Sequence, residues 1–100
     1  MRSRYSAYAL GLVDYILLTT HPAGPKHQSD EARWRAEAQW FADHTRFKSL
    51  SVISVESGDE VGFVTFHAEL EQDGQDASFG ERSRFEKLEG RWLYHSGDRI

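Results

Sequence analysis

The sequence predicts an α+β domain in which a long N-terminal helix and a second helix pack on a curved four-stranded antiparallel sheet. Two observations carry this. Apolar residues recur at three-and-four spacing through the first part of the chain, and after Arg46 the period drops to two, with three turn signals cutting the remainder into strands. A chain of 100 residues, 39% hydrophobic and 28% charged, has material for one core, so residues 1–100 are expected to form a single domain.

Tyr5, Tyr8, Ala9, Leu12, Tyr15, Ile16 and Thr19 fall on one helical stripe, which Leu10, Val13 and Leu17 widen, and this gives a helix over residues 3–20. His21-Pro22 and Gly24-Pro25 end it, because proline can neither continue the ladder nor donate to it. Ser29 or Asp30 caps the second helix, with Glu31 in its first turn and Trp34, Ala38, Trp40 and Phe41 as its buried face.

The turns Ser57-Gly58-Asp59, Gln72-Asp73-Gly74-Gln75 and Glu89-Gly90 divide the rest into strands over 47–57, 60–71, 77–88 and 91–97. A two-residue turn at Asp73-Gly74 sets Val64 opposite Ser83, Phe66 opposite Glu81 and Ala68 opposite Phe79. The same turn at Glu89-Gly90 sets Phe85 opposite Tyr94, Ser83 opposite Ser96 and Glu81 opposite Asp98. One face then gathers Ile53, Val55, Val64, Phe66, Ala68, Leu70, Phe79, Phe85, Trp92 and Tyr94. The other is the solvated side, with Thr65, His67, Glu69, Arg82, Arg84, Glu86, Arg91 and His95, and with Leu50, Val52, Phe63, Leu88 and Leu93 as its apolar members.

Composition removes several function classes. Without cysteine there is no disulfide, thiol catalysis, iron–sulfur cluster or cysteine-bound zinc, which fits a reducing compartment. A net charge of −4 offers no broad surface for nucleic acid. Arg82, Arg84, Arg91 and His95 make only a modest basic patch, balanced by Glu69 and Glu86. Arg2 and Arg4 before Ala7, Ala9, Leu10, Leu12 and Val13 resemble a secretory leader, but Asp14 interrupts the run and leaves it too short to cross a bilayer. The expected location is the cytoplasm, with no membrane contact.

Glu81, with Ser83 and Asp98, is the polar exception on the apolar face. An unpaired buried carboxylate costs several kcal/mol, so something must answer it. One reading gives it a structural partner: Arg4, Arg2, or a hydroxyl of Ser83, Tyr5, Tyr8 or Tyr94. The other places it in a pocket between sheet and helix as a base or a ligand anchor. The five histidines offer no metal-binding spacing, since His67 and His95 lie roughly 13 Å apart along the sheet and no His-x-x-x-His pair occurs. His21, at the end of the first helix, reads mainly as a helix terminator, with the rim of the cavity as its alternative. There is no phosphate-binding glycine loop, nucleophile elbow or dinucleotide fingerprint.

The residues Met1-Arg-Ser-Arg-Tyr-Ser-Ala-Tyr8, Asp14-Tyr15, Thr20-His21-Pro22, Gly62-Phe-Val-Thr-Phe66, Glu81-Arg-Ser-Arg-Phe85 and Gly90-Arg-Trp-Leu-Tyr94 together resemble, in order, the central domain of the YchJ family of bacterial proteins. The resemblance implies an NTF2-like (cystatin-like) cone. Typical family members carry SEC-C zinc motifs beside this domain, and a chain without cysteine holds none of those ligands, so zinc would enter only through flanks absent here. No cofactor is expected.

Two function classes follow. The first is a non-catalytic accessory domain, monomeric or homodimeric, binding a small ligand or a protein partner through a pocket formed by Arg4, Tyr8, Phe66, Glu81, Ser83, Phe85, Trp92 and Tyr94. The second is a small pocket enzyme of isomerase, dehydratase or hydrolase type, in which Glu81 is the acid or base and Tyr94 or His21 assists. Only analogy of fold carries the second.

Overall fold

The computed structural model describes residues 2–100. Its order is α1 (Arg2–Ala9), α2 (Val13–Leu18), α3 (Glu31–His44), β1 (Thr45–Ser57), β2 (Val61–Gln72), β3 (Gln75–Asp76), β4 (Phe79–Leu88) and β5 (Arg91–Arg99). Helices therefore pack on one antiparallel sheet of order β1-β2-β4-β5, with the two-residue β3 added to β2.

The expected single N-terminal helix is two helices. Gly11 adopts φ 70°, a left-handed conformation that costs glycine little, and it closes α1. Leu12 N–H donates to Ala7 O at 2.7 Å and Gly11 N–H to Tyr8 O at 3.1 Å, so the last carbonyls of α1 are satisfied as the chain turns. The break leaves Leu10 and Leu12 at the surface and carries Ile16 into the core.

The second helix starts where the sequence indicates. Asp30 is its N-cap, with Oδ1 accepting from Arg33 N–H at 3.1 Å. Replacing Asp30 by Ala is expected to cost about 1 kcal/mol, read as a shift in the urea midpoint at unchanged slope. Ala38 is buried on the inward side of α3, but Trp40 is 52% exposed and stacks on His44 instead, so it leaves the expected buried face.

Both two-residue turns are of the mirror-image kind that suits twisted hairpins: Asp73 and Gly74 have φ 50° and 78°, Glu89 and Gly90 51° and 78°. The β2–β4 register is the expected one, with Val64 opposite Ser83, Phe66 opposite Glu81 and Ala68 opposite Phe79. Phe85 also pairs with Tyr94 as expected, but a bulge past Phe85 then shifts the ladder by one residue. Ser83 consequently faces Gly97 rather than Ser96, and Glu81 faces Arg99 rather than Asp98, which pairs with Arg82.

Two further bulges, at Lys48 and Ile53, reset β1. Leu50 and Val52 become the partners of Ala68 and Phe66 and turn inward, reversing their expected side, while Ile53 is 62% exposed. Leu93 is a second correction: it alternates with Tyr94 yet is buried. The core proper is Phe66, Ala68 and Leu70 on β2, with Tyr5, Phe41, Phe47 and Phe79 packed against them.

Candidate functional site

Between the helices and the inner face of the sheet lies a cavity of about 440 Å³. Phe66, Ala68, Leu70, Phe79, Phe47 and Phe41 make most of its wall apolar, Arg4, Glu81 and Tyr94 bring polar groups to one side of it, and Lys26, Gln28, Glu37 and Arg99 also border it. This size and composition fall within the range of small-molecule sites.

Arg4 is only 7% exposed. Its Nη1 donates to Ile16 O at 3.2 Å, Thr19 Oγ1 at 2.7 Å and Thr20 Oγ1 at 3.2 Å, tying α1 to the end of α2. The guanidinium lies over the Tyr94 ring, 4.7 Å from its centre. Burial pulls the Arg4 pKa below its ordinary value, opposed by the neighbouring phenols of Tyr8, Tyr94 and Tyr15 and then by Glu81. Arginine nonetheless stays charged, so a cation is fixed at the cavity wall.

The question of what answers Glu81 is settled by hydroxyls. Its Oε2 accepts from Ser83 Oγ at 2.5 Å and from Tyr94 OH at 3.3 Å. Ser83 is completely buried, so it supports the carboxylate from beneath. The space for that carboxylate exists because residue 97 has no side chain: a Cβ there would overlap the carboxyl carbon and stand 2.7 Å from Oε1. A glycine in a strand interior marks such a close approach, and here its place beside Glu81 follows from the bulge past Phe85.

Tyr94 has its pKa pushed far above the ordinary phenol value, first by burial, then by the charge of Glu81 and the hydrogen bond to it. Burial likewise raises Tyr8 and Tyr5. A group whose folded pKa is raised contributes stability that is complete below the unfolded value and lost as pH rises toward the folded one. Stability is therefore expected to fall as pH climbs above the ordinary tyrosine value of 10.0, with a shallower fall in Tyr94→Phe, measured by denaturant midpoints across alkaline pH.

Of the expected site residues, Arg4, Tyr8, Phe66, Glu81 and Tyr94 meet at the cavity, with Ser83 behind Glu81. Phe85 and Trp92 do not line it. They border a separate groove of about 260 Å³ with Val55, Phe63 and Val64. His21 lies apart as well. Its backbone N–H donates to Tyr94 O at 2.7 Å, its Nδ1 accepts from Ala23 N–H at 3.0 Å, and its Nε2 stands 3.8 Å from Glu86. It anchors the segment after α2 to β5 beside His95, whose Nε2 is 3.7 Å from the same carboxylate.

Among the described residues, no group of three His, Cys, Asp or Glu side chains is placed to hold a metal ion. Two of the outer arginines are matched by acids, Arg82 with Glu56 at 3.1 Å and Arg84 with Glu86 at 2.7 Å. No described helix is long and apolar enough to cross a membrane.

Tyr5, Trp34, Phe41 and Phe47 also line the cavity; the helical period gives Trp34 and Phe41 a packing role, Tyr5 enters the sequence reading as a hydroxyl partner for Glu81, and Phe47 has no assigned role there. The Tyr5 hydroxyl is the one buried side-chain polar atom without a partner among the described residues. Chemically, the site offers an apolar bed on which the Arg4 guanidinium and the Glu81 carboxylate flank the Tyr94 phenol, with Lys26, Glu37 and Arg99 also at its border.

Comparison with known proteins agrees with this architecture. The family model for the YchJ middle, NTF2-like domain matches residues 1–97. UPF0225 protein VP1145 of Vibrio parahaemolyticus is 40% identical over 100 residues, covering 97% of this chain and 56% of that protein, and UPF0225 protein VV1358 of Vibrio vulnificus gives the same figures. The chain thus spans a little over half the length of these curated relatives. Among solved structures, RPA3114, a SEC-C motif containing protein from Rhodopseudomonas palustris, superposes with a TM-score of 0.80 at 32% identity, over 100% of this chain and 75% of that one. A SEC-C motif containing protein from Psychrobacter arcticus shares the fold, with a TM-score of 0.74 at 24% identity over 96% of this chain and 56% of that one.

Proposed function

The chain belongs to the YchJ middle-domain family of NTF2-like folds, and from that premise we propose that it is a non-catalytic accessory domain that holds a small ligand in the cavity beneath its helices. The observation that carries this reading is the clustering of Arg4 and Glu81 around Tyr94 at one cavity wall. A domain needing only stability gains little from such groups, since apolar residues of similar volume usually serve a core as well or better.

The test is capture of small molecules from a metabolite extract by native mass spectrometry, comparing the wild type with Ala38→Phe, which fills the cavity from α3. The reading expects adducts on the wild type that the filled variant loses while keeping its circular dichroism. Equal adducts on both proteins, or none on either, would end it.

A second reading, acid–base catalysis by Glu81, draws on the Glu81–Tyr94 hydrogen bond within an apolar enclosure. His21 lies outside that enclosure, so Tyr94 alone would assist. Under the accessory reading a captured molecule is released unchanged. Conversion that disappears in Glu81→Gln would establish the catalytic one.

A further inference from the structure

We propose that the cavity takes a free α-amino acid with an apolar side chain, its carboxylate on Arg4 and its ammonium on Glu81, an inference that rests on the ligand-binding reading above. The two charges are both only partly used. Arg4 spends Nη1 on Ile16, Thr19 and Thr20, which leaves its Nε–Nη2 edge, the fork that matches a carboxylate side-on, without a partner among the described residues. Glu81 receives both of its hydroxyls on Oε2, and Oε1 accepts from none of the described residues.

Their spacing selects the ligand. Arg4 sits over the face of the Tyr94 ring, 4.7 Å from its centre, while Glu81 meets the hydroxyl of the same ring at 3.3 Å. One phenol ring therefore separates a fixed cation from a fixed anion. A simple carboxylic acid on Arg4 leaves Oε1 of Glu81 without a donor, and a simple amine on Glu81 leaves the open edge of Arg4 without an acceptor. A hydrocarbon would leave both open edges without a partner. A carboxylate and an ammonium on one carbon supply an acceptor to the one and a donor to the other. The side chain then runs along Phe66, Ala68, Leu70 and Phe79, which favours a branched or aromatic residue.

The experiment titrates the wild-type protein, followed by NMR and calorimetry, with L-phenylalanine, L-leucine, phenethylamine, 3-phenylpropanoate and 2-phenylethanol. The amino acids are expected to move the Tyr94 and Phe66 resonances and to bind at least about tenfold more tightly than any analogue lacking one charge, because such an analogue leaves a buried charged group unpaired. Glu81→Gln, whose side chain still accepts from Ser83 and Tyr94, is expected to weaken L-phenylalanine by at least about tenfold without weakening 3-phenylpropanoate. Equal or tighter binding of a single-charge or uncharged analogue overturns the proposal and leaves the ligand-binding reading standing, as does unchanged L-phenylalanine affinity in Glu81→Gln. Silence from every probe overturns the proposal, and the ligand-binding reading is then decided by the metabolite capture above.

Discussion

Phe66→Ala is expected to lower the unfolding free energy by about 3–5 kcal/mol, the usual cost of emptying a fully buried aromatic position. Phe66 is 1% exposed, sits at the centre of β2, and meets the Phe79 ring edge-on at 5.8 Å. Its neighbours on either flank, β1 and β4, are held by backbone ladders, so the hole has little room to collapse. Against a total stability of about 5–15 kcal/mol for a domain of this kind, the loss takes a large share of the margin. Urea denaturation followed by tryptophan fluorescence measures it directly. A loss below about 1 kcal/mol would mean that the cavity wall is not the organising core.

Gly97→Ala is expected to destabilise by about 1–3 kcal/mol despite adding a single methyl group. Alanine normally suits a strand better than glycine, so the sign is diagnostic. At this position the new Cβ meets the Glu81 carboxyl, and the carboxylate must leave Ser83 and Tyr94 to make room. The clash belongs to the pair, so Glu81→Ala in the same chain should relieve it, with a coupling of about 0.5–3 kcal/mol in a double-mutant cycle. Strict additivity of the two substitutions would show that Glu81 does not pack on residue 97.

The parts of the fold that were legible are those fixed by local chemistry. Asp73-Gly74 and Glu89-Gly90 demand a two-residue turn, and from that demand the pairing of Phe66 with Glu81 and of Phe85 with Tyr94 follows. Asp30 announces its helix through its side chain. What escaped was irregularity without a local signature. Nothing in Phe47-Lys48-Ser49 or Val52-Ile53-Ser54 distinguishes a bulge from a continuing strand, yet those bulges decide that Leu50 faces the core. Gly11 is a different case. A glycine within an apolar helical run is a stop signal, which the three-and-four period of its neighbours masks in the sequence although the chain obeys it. Glu81 was identifiable as the polar intruder on an apolar face, whereas its neighbour Arg99 depended on the bulge past Phe85 and could not be anticipated.

The short reach of α2 has a consequence for how this protein behaves among its copies. Because the helix stops at Leu18, the following residues are free to run alongside the last strand, where Tyr94 N–H donates to Thr19 O at 2.8 Å and Thr20 bridges Tyr94 in parallel. Those bonds occupy backbone groups that would otherwise invite a foreign strand at that margin. Among the described residues no strand pairs with the opposite margin, β1, and there the bulges at Lys48 and Ile53 interrupt the flat run of amides and carbonyls that edge-to-edge aggregation requires.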